Sequence, residues 1–163
     1  MFSELLAKRA AENNPSRVGI IGAGKFGAGL ITQIISMQGI EVSAVADINL
    51  DSAKRAYVTN CISPEAMQVT RTVQEMNQMI QNGKPAITED GLLVARTDLL
   101  DVVVEATGIP EVGARLAYET ITHHKHLIMV NVEADVTVGP FLRRLADNAG
   151  VVFILWLTEI NLA

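Results

Sequence analysis

The segment Arg17-Val18-Gly19-Ile20-Ile21-Gly22-Ala23-Gly24-Lys25-Phe26-Gly27 joins a short β-branched run to a glycine-rich turn, and residues 25–37 then carry apolar side chains at helical spacing. This reads as strand, turn, helix. The glycines match G-x-G-x-x-G directly after the expected strand and at the mouth of the expected helix, a context in which each has its own physical task. Gly22 permits the tight turn, Gly24 lets backbone approach a pyrophosphate, and Gly27 lets helix and strand pack closely. Ala23, Lys25 and Phe26 complete a turn whose N–H groups, with the helix dipole, favour phosphate anions.

Outward from the turn, residues 41–47 form a second expected strand ending in Asp47, and 47 − 27 places this carboxylate 20 residues after the last glycine. There it can accept hydrogen bonds from the ribose hydroxyls of an adenosine. The same charge repels a 2′-phosphate, so of NAD or NADP the former is favoured, with Lys54 or Arg55 able to reach a phosphate if the loop bends back. The competing reading makes the glycines a tight connection only and Asp47 a solvated loop acid.

Strand-like and helix-like runs continue to alternate. Residues 51–57 read as a short helix, 101–106 as a valine-rich strand buried on both faces, 110–120 as a helix, 127–131 as a strand, 139–147 as a helix and 151–155 as the last strand. The alternation implies an α/β class, a Rossmann doubly wound parallel sheet, with an N-terminal helix over 2–11 and a helical insertion after the second strand. In that insertion Ala66, Val69, Val73, Met76 and Ile80 fall on one face of a helix beginning near Pro64, with Met67 and Met79 widening the stripe. Residues 85–88 read as a short third strand. The expected organisation is helix and linker over 1–16, a dinucleotide-binding domain over 17–157 and a tail over 158–163.

Composition sets the outer limits. The 163 residues carry 13 Lys and Arg against 18 Asp and Glu, a formal charge of −5, which argues against nucleic acid as a partner. With 49% hydrophobic residues the chain can fill one globular core. A single cysteine, Cys61, excludes an internal disulfide and fits a reducing compartment. Its thiol has no fixed local base and reads as inert. No basic-then-apolar leader is visible, and the longest apolar run, over 151–157, is far short of the ~20 residues that cross a membrane. A cytoplasmic protein with no membrane partner is the simplest expectation.

Two later segments, Asp101-Val102-Val103-Val104-Glu105-Ala106-Thr107-Gly108 and the stretch from His124 to Pro140 containing Asn131-Val132-Glu133-Ala134-Asp135-Val136-Thr137-Val138-Gly139-Pro140, carry a resemblance. With the glycine turn and Ile87-Thr88-Glu89-Asp90-Gly91-Leu92-Leu93-Val94-Ala95-Arg96, the chain resembles the homoserine-dehydrogenase-like oxidoreductases over about 17–152. It looks most like their branch with a SAF domain downstream, which includes a deoxyxylulose-phosphate reductoisomerase-like enzyme. The resemblance implies NAD(P)-dependent hydride transfer on a small hydroxy or carbonyl substrate, with Thr107, Gly108, Asn131, Glu133 and Ala134 near the cofactor at the carboxyl ends of their strands.

Glu105 and Glu133 are the candidate catalytic groups. Glu105 sits in an apolar strand, where a carboxylate needs partners or must protonate; it is readable as orienting cofactor-contacting backbone or acting beside the substrate, and equally as lying at the wet end of the strand. Glu133 and Asp135 form an acidic pair after a strand, read as a solvated loop before a metal site. His123, His124 and His126 read as a surface turn at the amino end of their strand, so no metal is expected.

The family continues beyond the last strand into a substrate domain, and the sequence 156–163 lacks its Gly-Asp-rich continuation. The expectation is therefore the cofactor domain of a larger oxidoreductase, with the last apolar strand covered by self-association or by the missing substrate domain. The alternative is a noncatalytic dinucleotide-binding or regulatory module acting through the Met-bearing helix; a pure scaffold would show no dinucleotide affinity.

Overall fold

Apolar side chains alternate along the strands and divide the core between two faces, as the period of two in a β-strand requires. Val18, Ile20, Val42, Val45, Ile87 and Val104 pack on one side, while Ile21, Ala44, Ala46, Ala86 and Val103 pack on the other. The computed structural model describes residues 2–156. Its strands are β1 (Ser16–Ile21), β2 (Ile40–Ala46), β3 (Gln68–Val69), β4 (Ala86–Thr88), β5 (Val102–Glu105), β6 (His126–Met129) and β7 (Phe153–Leu155). All pair in parallel, in the order β3-β4-β2-β1-β5-β6-β7.

The helices are α1 (Phe2–Ala11), α2 (Lys25–Ile35), α3 (Leu50–Val58), α4 (Val73–Gln81), α5 (Gly91–Arg96), α6 (Pro110–Thr122) and α7 (Val132–Ala149). Ile31 and Ile34 of α2 and Ala53, Ala56 and Tyr57 of α3 cover the first face. Met76, Met79 and Ile80 of α4, Val94 of α5 and Leu116 of α6 cover the second. A third cluster joins Ala117 and Ile121 of α6, Leu142 and Ala146 of α7 and Leu127 and Met129 of β6. Helices therefore lie on both faces of one parallel sheet, a Rossmann-like α/β fold.

Register positions the site. Ile21 is level with Ala46 on one side and with Glu105 on the other, and Glu105 is level with Met129, itself level with Leu155. The carboxyl ends of the central strands thus form one edge. From β1 the chain proceeds to β2 on one side and later reaches β5 on the other, so the connections part above β1 and leave a crevice there.

Two stretches differ from the sequence reading, and α5 is a further helix that it does not contain. The insertion is not one helix from Pro64: Pro64–Ala66 is a single 3-10 turn, Gln68–Val69 is strand β3, and α4 starts at Val73. The Thr72 side chain accepts from Glu75 N at 3.1 Å while Glu75 reaches back to Arg71 N at 2.7 Å, a reciprocal cap that fixes the start. Thr70 N meanwhile bonds Ile87 O, holding the preceding residues extended beside β4. Likewise α7 begins at Val132 rather than at 139. Pro140 looks like a helix start but lies inside α7, where the acceptor it leaves unpaired, the carbonyl of exposed Val136, faces water. Glu133 and Asp135 are consequently in the first helical turn and not in a loop.

Candidate functional site

The glycine turn sits at the carboxyl end of β1. Gly22 has φ +102°, and a Cβ there would lie 2.5 Å from the carbonyl oxygen of Ala106, so the turn after β1 and the segment after β5 touch backbone to backbone. Gly27 is buried in α2, and a Cβ would fall 1.9 Å from the carbonyl oxygen of Gly22. Only glycine fits. Gly24 differs: as N-cap of α2 it has ordinary φ −67°, and a Cβ would meet nothing within 4 Å. Nothing inside the protein requires glycine at 24, and no side chain caps the start of α2. The leading N–H groups of that helix are left facing outward.

Asp47 is tied to this turn. One carboxylate oxygen accepts from Ala23 N at 2.7 Å and the other from Asn49 N at 2.8 Å. Two amides fix the carboxylate's orientation, and each oxygen keeps a further lone pair for an incoming hydroxyl. Arg55 is directed elsewhere: its guanidinium donates to Ser52 at 3.0 Å and borders a small hollow between α2 and α3 with Ala23, Ala28 and Thr32.

Above β1 opens a cavity of about 430 Å³. It brings together Gly22, Gly24, Asp47 and Thr107 from the sequence-derived set. Ile48, Leu92, Ile109, Val112 and Leu116 give it apolar walls, and Glu89, Asp90 and Arg115 add charge. None of these wall residues was assigned a role from the sequence. Ile48, Ile109 and Val112 could have been noticed as large apolar residues that turn out exposed beside the expected strand ends.

Residues 22–155 match the family model for the homoserine dehydrogenase, NAD binding domain. The chain belongs to this family. The homoserine dehydrogenase of Thiobacillus denitrificans aligns with a TM-score of 0.59 at 23% identity, over 86% of this chain and 29% of that one. The myo-inositol dehydrogenase of Lactobacillus casei, solved with NAD(H) and myo-inositol, gives 0.66 at 15% identity over 86% and 36%. An Agrobacterium radiobacter oxidoreductase, solved with NAD+, L-tartaric acid and magnesium, gives 0.60 at 15% over 85% and 34%. These identities speak to the fold, and the chain spans about a third of the length of those proteins. No curated protein matches it.

In this NAD-binding domain the other candidates separate. Asn131 is buried and caps α7, its side-chain oxygen accepting from Ala134 N at 3.1 Å, and Ala134 is buried behind it. Glu133 is exposed on the first turn of α7, and neither it nor Gly108, Lys25 or Phe26 borders the cavity. Phe26 instead packs edge-on to Trp156, the only tryptophan, at 6.1 Å between ring centroids. Glu105 has no exposed surface. Its Oε1 accepts from Thr107 N at 2.9 Å and also from the Thr107 hydroxyl. Burial pushes its carboxyl above the usual range, opposed by the Thr107 hydroxyl and amide and by the Asn131 amide.

The three histidines do separate jobs. His123 caps α6, His124 turns with φ +57°, and His126 accepts from Val152 N at 2.9 Å. Among the described residues no group of three or more His, Cys, Asp or Glu is placed to hold a metal ion.

Proposed function

We propose that the chain holds NAD along the carboxyl edge of β2, β1 and β5. The diphosphate would lie on the amides at the start of α2, the adenosine ribose on Asp47 and the adenine between the apolar walls of Ile48, Ile109 and Val112. The observation that carries this is Gly24, a position with no internal need for glycine and an open outer face above an uncapped helix start. NAD is favoured over NADP because Asp47 stands at the ribose position, while neither Lys54 nor Arg55 borders the cavity. The bound nicotinamide supplies a carbon that gives or takes hydride. In the whole protein the substrate would be a small hydroxy or carbonyl compound.

Gly108, Lys25, Phe26 and Glu133 would act by shaping the surrounding backbone, and Asn131 and Ala134 by holding the start of α7. The dinucleotide domain spans 17–157 between an N-terminal helix with linker and the tail over 158–163, a tail that lies outside the described residues. The exposed β7 edge is covered by a second copy of the chain or by a further domain. The exposed free thiol of Cys61 fits a cytoplasmic setting; no described helix is long and apolar enough to cross a membrane.

Calorimetric titration with NADH and NADPH tests the reading. The chain should prefer NADH, Gly24→Val should abolish binding without unfolding the protein, and Asp47→Ala should narrow the preference. Energy transfer from Trp156 to bound NADH gives a second signal. Undiminished affinity in the valine variant would overturn the placement of the diphosphate.

A further inference from the structure

Gly113 stands inside α6, where glycine destabilises the helix relative to alanine. Its φ is ordinary, so backbone conformation does not explain it; space does. A Cβ at this position would lie 2.7 Å from Asn131 Nδ2 and 2.8 Å from Glu105 Oε2. Those two atoms, one a donor and one an acceptor, are both buried and without a hydrogen-bond partner, and both border the space left by the absent side chain. A buried polar atom left unpaired is destabilising, and here each is the complement of the other.

The rest of each side chain is committed. Glu105 Oε1 serves the amide and hydroxyl of Thr107, on the segment that follows β5 and borders the crevice. Asn131 Oδ1 caps α7 through Ala134 N, on the segment that follows β6. The cap also fixes which end of the Asn131 amide faces Glu105.

Building on the proposed dinucleotide site, we infer that Glu105 is a positioning residue: one oxygen of its buried carboxyl accepts from Thr107 and the other stands beside the Asn131 amide in the space that Gly113 provides, so that a hydrogen bond closed between them holds the crevice-lining Thr107 segment to the start of α7. It acts through Thr107 and touches no ligand. Of the sequence alternatives for Glu105, orienting cofactor-contacting backbone, acting beside substrate or lying at a wet strand end, complete burial disfavours the last and the contacts to Thr107 favour the first.

The link can be broken without removing bulk. A glutamine at 105 has a single acceptor oxygen and can satisfy Thr107 or Asn131, not both. Adding Asn131→Asp returns an acceptor opposite the new amide and keeps a competent helix cap. Gly113→Ala should wedge the pair apart from the other side. NADH affinity by calorimetry and amide hydrogen exchange at Thr107 and Ala134 are the two readouts. Glu105→Gln and Gly113→Ala should each weaken NADH about tenfold and speed exchange at one or both amides. Glu105→Gln combined with Asn131→Asp should restore slow exchange at Ala134, which general destabilisation would not do.

Folded variants that keep wild-type NADH affinity and exchange would overturn the link while leaving the dinucleotide site intact. A wild-type chain that binds no NADH would overturn that site and the positioning role together, whatever the exchange shows.

Discussion

At the scale of single residues, the three glycines of the turn answer to different constraints. Gly27 is required from inside, because its Cβ would overlap the Gly22 carbonyl, whereas Gly24 has open space around it. Gly27→Ala should therefore cost about 1–3 kcal/mol or more of stability in urea unfolding, while Gly24→Val should leave the unfolding midpoint nearly unchanged and act on ligand alone. Glu105 gives a pH prediction with a definite sign. Its folded-state proton affinity is raised, chiefly by burial, so the folded chain binds the proton more tightly than the unfolded one. The contribution is fully present below the ordinary carboxylate range and is lost as pH rises through the raised value. Denaturant titrations across that window should slope less steeply for Glu105→Gln than for the wild type. Equal slopes would mean that Glu105 titrates as it does when unfolded.

At the scale of elements, every strand but β3 was legible, whereas the short helix α5 and the starts of α4 and α7 were not. β1, β2 and β5 are short β-branched or valine-rich runs and β6 is a short apolar one, and their pattern survives because burial on both faces of a parallel sheet demands it. The stripe from Ala66 to Ile80 misled because strand β3 happens to supply Val69 at a helical step before α4 begins. What overrides the periodicity is the Thr72 and Glu75 cap together with pairing to β4. Thr72→Ala should cost about 1 kcal/mol, measured by chemical denaturation, as loss of an N-cap usually does. Met76 and Met79 are buried against the sheet, so the Met-bearing face is not available to a regulatory partner. Asn131, which the sequence places near cofactor, uses its side-chain oxygen on the α7 cap and leaves its amide nitrogen unpaired.

At the scale of the whole molecule, β7 closes one end of the sheet with Val152, Ile154 and Trp156 each about half exposed. The opposite end is β3, only two residues long and so a poor template for further pairing. Arg143 stacks over Phe153 at 5.4 Å and covers part of the β7 end, leaving its outer apolar side chains open. Sedimentation of the chain should show concentration-dependent association that Ile154→Lys suppresses; a monomer at every concentration would argue against an association surface here.

The order of runs along the chain and the glycine spacing were enough to determine a doubly wound sheet with a glycine-rich turn at the end of its first strand, because backbone sterics and strand periodicity are local properties. The cavity walls at Ile48, Ile109, Val112 and Arg115, the amide tether from Ala23 to Asp47, and the Glu105, Gly113 and Asn131 contact were decided only by tertiary structure. Each joins segments far apart in sequence, and whether a carboxylate is solvated, tethered or buried depends on what the fold brings beside it.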